Sequence, residues 1–155
     1  MRRRRKSRIL ALCMLYGMEQ CGDFSPGAAR LVTAMFSRKF DQGIEEYALH
    51  LVRGVTARRT EIDTLIRTNA RNWQYNRIAL VDRQIMRLAL WEMLFDKHTP
   101  PAVCINEAID IAKLFSTGES GHFINGILDN VRKLEQMPRT TRGSTAAADD
   151  TAATE

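Results

Sequence analysis

From position 9 to position 134 apolar residues recur at helical spacing, and no stretch alternates with period two for long enough to make a strand. Sheets and barrels are thereby excluded, which leaves an all-α bundle of about seven helices joined by short connections. The first helix is expected over positions 4–20, with Ile9, Leu12, Cys13 and Tyr16 on one apolar stripe flanked by Ala11, Leu15 and Met18. Gly22-Asp23 ends it. Ser25 as N-cap and Pro26 at the first helical position start the second helix, which carries Leu31, Val32, Met35 and Phe36 as far as Lys39. From Asp41, another N-cap, the residues Ile44, Tyr47, Ala48, Leu51, Val52 and Val55 form the cleanest amphipathic helix in the chain.

A shorter helix around Ile62, Leu65 and Ile66 leads into a polar connection over 69–76 that contains Trp73 and Tyr75. Next, Ile78, Val81, Ile85, Leu88 and Ala89 form one stripe and Met86, Leu90, Met93 and Leu94 another. A helix apolar over so much of its circumference belongs at the centre. Thr99-Pro100-Pro101 breaks the chain and starts a helix carrying Ile105, Ala108, Ile109, Ala112 and Phe115. Ser116-Thr117-Gly118 ends that one. The last helix aligns Phe123, Ile124, Ile127, Leu128, Val131 and Leu134, and Pro138 stops it. Positions 1–137 are thus expected to form one helical domain. Positions 138–155, rich in Thr, Ala, Gly and Asp with no apolar period, are expected to be disordered, because they bury too little to offset the entropy of ordering.

The formal charge of +5 matters less than its placement, since Arg2, Arg3, Arg4, Arg5, Lys6 and Arg8 crowd one end of the chain. A helix start already carries about half a positive charge from its dipole, so arginines clustered there call for anions, and phosphates suit. A polyanion is the implied partner; a merely solvated, solubilising end is the alternative. The cluster followed by Ile9 to Tyr16 imitates a secretory signal. However, the apolar run is short, no small-residue cleavage motif follows, and Glu19-Gln20 continue the helix, so no signal is expected. No run of about 18 apolar residues exists to span a membrane. Cys13, Cys21 and Cys104 are odd in number, form no C-x-x-C and sit in apolar helical patterns. They are expected to be buried free thiols in a reducing compartment, the cytoplasm.

Catalysis finds little support. The chain has no G-x-x-x-x-G-K, no G-x-G-x-x-G after a strand and no G-x-S-x-G. His50, His98 and His122 are scattered without metal-ligand spacing, so no catalytic residue, cofactor or metal is expected. Asn106, Glu107 and Asn125 read as structural residues within helices, and Gly126 as a point of close helix approach.

Arg4-Arg5-Lys6-Ser7-Arg8 leading to Ala11-Leu12 and Leu15-Tyr16 resembles the arginine-rich first helix of the NusB family. The likeness continues in Val81-Asp82-Arg83, in Arg87-Leu88-Ala89-Leu90-Trp91-Glu92 and in Pro101. It is most specific in Ile105-Asn106-Glu107-Ala108-Ile109-Asp110-Ile111-Ala112-Lys113 followed by Phe123-Ile124-Asn125-Gly126-Ile127-Leu128-Asp129. These pieces cover most of positions 4–131 in order; 24–40 resembles the family only in being helical.

The resemblance implies two packed helical subdomains and a transcription antitermination factor. Such a factor pairs with the ribosomal protein NusE, binds boxA RNA of ribosomal RNA leaders, and helps RNA polymerase, in its antitermination complex, read through terminators. It also implies roles for single residues. Arg4, Arg5, Lys6 and Arg8 would contact RNA, with Arg2 and Arg3 as auxiliaries. Phe115 and Phe123 flank the 116–122 loop at the RNA surface, as base-stacking rings or as plain core. Glu119 would lie near the RNA and limit affinity, or be an early-helix charge. Tyr16 and Asp82 would face NusE; the alternatives are a core ring and a charge favouring the helix dipole. NusB-like domains also precede ribosomal RNA cytosine methyltransferase domains, but too little chain follows Leu134 for an α/β domain, so no enzyme is expected. The free protein is expected to be a monomer or homodimer, with helix faces such as that of Trp91 and Phe95 available for self-association. The competing class is a helical dimerisation module that does not bind RNA.

Overall fold

The computed structural model describes residues 2–36, 40–71 and 73–137. The 138–155 tail and the expected reach of the second helix to Lys39 lie outside the described residues. Among the described residues seven α-helices run in the order α1 (Arg3–Cys21), α2 (Pro26–Phe36), α3 (Gln42–Ala57), α4 (Arg59–Asn69), α5 (Leu80–Trp91), α6 (Pro101–Phe115) and α7 (Ser120–Gln136). A 3-10 turn, Tyr75–Arg77, precedes α5, and a π-helical turn, Glu92–Asp96, continues it. The all-α class is as expected, and no strand occurs among the described residues.

Local chemistry sets the boundaries. The Asp41 carboxylate accepts from the Gly43 N–H at 2.8 Å and starts α3. Ser25 Oγ accepts from the Ala28 N–H at 3.2 Å and starts α2. Both are N-caps that satisfy helix-end donors. Gly22, with φ of 66°, turns α1 off in the left-handed conformation that glycine adopts at little cost.

Helices α1 to α3 pack on one another, α4 to α7 do likewise, and α5 touches members of both groups. One continuous apolar core runs through the two groups. Helix α5 is the central element expected from its apolar circumference, with every residue from Gln84 to Trp91 buried. Its close approach to α3 depends on Gly54, because a Cβ there would lie 2.0 Å from the Trp91 ring. Trp91 is therefore 8% exposed and offers no face for self-association, contrary to expectation.

Two further expectations need correction. Helix α1 turns Leu10, Ala11, Met14, Leu15 and Met18 inward, while Cys13 and Tyr16 are exposed and Ile9 is half-buried. Beyond Arg8 this helix is apolar on nearly every face, so periodicity alone cannot set its rotation; packing on α3 and α5 does. The cysteines follow suit. Cys13 and Cys21 are exposed and only Cys104 is buried, where desolvation pushes its thiol up to about 12.

Candidate nucleic-acid interface

The basic start of α1 divides into two sets. Arg2, at the N-cap position, makes no side-chain cap, and the first turn holds no acidic residue to balance the dipole. Arg2, Arg3, Arg4 and Lys6 are exposed. Arg3 donates to Asp41 at 2.8 Å in a solvent-facing pair of little energetic weight. The Arg4 guanidinium lies 3.6 Å from the centre of the Tyr47 ring, which orients it while leaving its edge N–H groups available.

Arg5 and Arg8 point the other way. Arg5 donates twice to the Glu107 carboxylate at 3.0 Å and once to Asp110 at 2.8 Å. Arg8, only 7% exposed, makes a bidentate pair with Glu92 at 2.8 and 2.9 Å. Its donors face protein carboxylates, so the expectation that it contacts phosphate conflicts with its burial. Helical geometry explains the split, because residues three apart share a face and that face docks on α6 and the π-helical turn. The hydrogen bonds from Arg5 hold the Glu107 carboxyl below its ordinary value.

The outward set adjoins an apolar concavity of about 800 Å³, where Arg3 and Lys6 meet Phe40, Leu114 and Phe115. Phe115 is 46% exposed and so is a surface ring rather than core. The next residues form the α6–α7 loop, held from below by Asp82. At 5% exposure, Asp82 accepts hydrogen bonds from the hydroxyls of Ser116 and Ser120. The carboxylate expected to face a partner is enclosed in this chain and engaged with the loop. Glu119 stands exposed on that loop, directly before α7.

Beyond the loop, Phe123 is half-buried and packs against Trp73, with ring centres 5.2 Å apart. Tyr16 belongs elsewhere: 37% exposed, it lies about 15 Å along α1 from Lys6 at 1.5 Å per residue. The structure thus joins Arg3, Lys6 and Phe115 in one concavity, continues through Glu119 to Phe123, and sets Tyr16 apart. Glu92, Glu107 and Asp110 were missed as partners of the arginines. Their only signal was the i, i+3 spacing of Glu107 and Asp110, which aligns two acids on one helix face.

Among the described residues no helix is long and apolar enough to cross a membrane, and no group of three or more potential ligands could hold a metal ion. The sequence profile of the NusB family matches residues 5–133. A relative from Desulforapulum autotrophicum, named transcription antitermination protein NusB, is 42% identical over 136 residues, covering 88% of this chain and 95% of its own. A solved structure of T. maritima NusB superposes with a TM-score of 0.77 at 34% identity, covering 92% of this chain and 97% of that one. A crystal structure of the antitermination factors NusB and NusE in complex with double-stranded RNA contains a chain that matches with a TM-score of 0.74. That chain is 28% identical, and the match covers 86% of this chain and 98% of that one.

Proposed function

This chain belongs to the NusB family, and from that membership we propose that it binds boxA-type RNA of ribosomal RNA leaders together with NusE, promoting read-through by RNA polymerase. As a member of a family of transcription antitermination factors, it is a regulatory protein and not an enzyme. The observation that carries the RNA reading is the outward set of cations, Arg3 and Lys6, in one concavity with the exposed Phe115 ring. Cations that neutralise phosphates beside a ring that accepts an unstacked base are the means by which proteins hold single-stranded RNA.

Arg2 and Arg4 extend the cationic edge, and Phe123 takes a second base beyond the loop. Glu119 lies between the two rings and lowers affinity by repelling phosphate. Tyr16, with Cys13 on the same exposed edge of α1, faces NusE. Keeping RNA and protein on separate parts of α1 lets both bind at once. A factor acting on nascent RNA at the polymerase works in the cytoplasm, where the exposed Cys13 and Cys21 stay reduced.

The test is affinity for a boxA RNA and a scrambled RNA, each with and without NusE. Tighter binding of boxA RNA, further tightened by NusE, is expected. Equal and weak binding to both RNAs in either condition would leave the chain a protein-interaction module.

A further inference from the structure

The α6–α7 loop has a second concavity on its far side, about 630 Å³ in volume, between the chain that follows α4 and the outer face of α7. Trp73 stands on one wall, 58% exposed, and meets Phe123 at the floor. The exposed ring leaves a large apolar face in water, and covering it with a ligand is favourable. Arg71 and Lys133 supply positive charge at the rim, and Asn69 and Asn130 supply amides. No carboxylate is among the described residues that line it. Asn69 donates to the Leu65 carbonyl at 2.8 Å, which leaves its amide oxygen to accept from a ligand. Lys133 shares Asp129 with Arg132, so two cations face one acid and the edge keeps a net positive charge.

We propose that this groove is a base-stacking subsite for single-stranded RNA in which Trp73 is the platform. The proposal rests on the RNA-binding reading above and extends its path past Phe123. The chemistry favours a nucleotide over a protein segment. An aromatic face accepts any base, amides pair with base edges, and peripheral cations take the flanking phosphates. Continuity supports it too, since Phe115 and Phe123 flank the loop and Trp73 is in ring contact with the second. Gly126 on the α7 wall keeps the groove open, because a Cβ there would meet nothing within 4 Å. The expectation that Gly126 permits close helix approach is replaced by this one: its missing side chain leaves room for a ligand.

Two variants separate binding from folding. Trp73→Ala should weaken boxA RNA binding roughly tenfold, within the range of one aromatic–base stack, and leave the salt dependence unchanged because no phosphate contact is lost. Gly126→Leu fills the groove and replaces a helix-interior glycine, so affinity should fall while the melting temperature holds or rises. Tryptophan emission gives a direct reading. Only Trp73 and Trp91 contribute, and Trp91 is enclosed in the core. RNA should therefore quench the emission of the unaltered chain. Trp73→Phe should keep most of the affinity and lose most of the quenching.

RNA binding by the unaltered chain with no change in either variant would overturn the subsite and spare the RNA-binding reading. Failure of the unaltered chain to bind any RNA overturns both. Weakened NusE binding with RNA affinity intact would give the groove to protein. An emission that responds to removal of residues 138–155 but not to RNA would give it to the chain's own C-terminal segment.

Discussion

Arg8 and Arg3 are near neighbours in the sequence with opposite physical roles. Arg8 lies in the core edge with both oxygens of Glu92 on its guanidinium, and both side chains are almost wholly enclosed. Replacing it with alanine leaves Glu92 charged, buried and unpaired, at a cost of roughly 3–5 kcal/mol. A chemical denaturation curve of Arg8→Ala should therefore shift to much lower denaturant, whereas Arg3→Ala, which loses a solvent-exposed pair, should superpose on the unaltered protein. Equal midpoints for all three would contradict the partition of the cluster. The acids that pair with arginines set a pH limit. Hydrogen bonds from Arg5 hold Glu107 below its ordinary value of 4.5. For Glu19, burial pushes upward but the Arg87 and Arg83 partners prevail and also leave it below 4.5. A carboxyl depressed in the fold adds stability that is full above its unfolded value and is lost as pH falls through its folded value. The melting temperature should thus be flat from neutrality down to about pH 5 and fall below that. Arg5→Ala should lessen the part of the fall that Glu107 contributes; an identical acid limb would refute that link.

At the scale of elements, caps and periods were legible and rotations were not. Asp41, Ser25 and Pro26 start their helices where short-range chemistry said they would, because a cap needs only residues two or three positions away. The rotation of α1 depends on α3 and α5, which lie far away in sequence, so of the expected stripe Ile9, Leu12, Cys13 and Tyr16 only Leu12 is fully buried, while Ile9 is half-buried and Cys13 and Tyr16 are exposed. The π-helical turn was likewise unreadable: it closes with the Lys97 N–H on the Glu92 carbonyl at 2.9 Å, a detail that no propensity signals. The α6–α7 loop shows what a hidden contact does. Asp82 on α5 accepts from Ser116 and Ser120 at opposite ends of that loop, so one carboxylate fixes the segment between Phe115 and Phe123. Asp82→Ala removes the acceptor that both hydroxyls share and leaves them each other, at 2.8 Å, with an expected cost of about 1–3 kcal/mol. Hydrogen exchange should quicken first in residues 116–120. Exchange that is unchanged there, or raised evenly across the molecule, would remove the anchoring role.

Across the whole molecule, the α-helical class, the helix order and the central place of α5 followed from period and breakers, because these are local or summed properties. The separation of the basic cluster into a docked half and an outward half did not follow. It depends on acids 84 and 102 positions away that meet α1 only in the folded chain. Its consequence is quantitative. If Arg2, Arg3, Arg4 and Lys6 each neutralise one phosphate of single-stranded RNA, together they contribute about −3 to the slope of log affinity against log salt. The decisive measurement is the salt dependence of boxA RNA binding for the unaltered chain and for a variant with those four residues changed to alanine. The account predicts a slope flatter by about 3, weaker binding to boxA and scrambled RNA alike, and an unchanged melting temperature. A variant that keeps both its RNA affinity and its salt slope would show that the outward half of the basic cluster does not contact RNA.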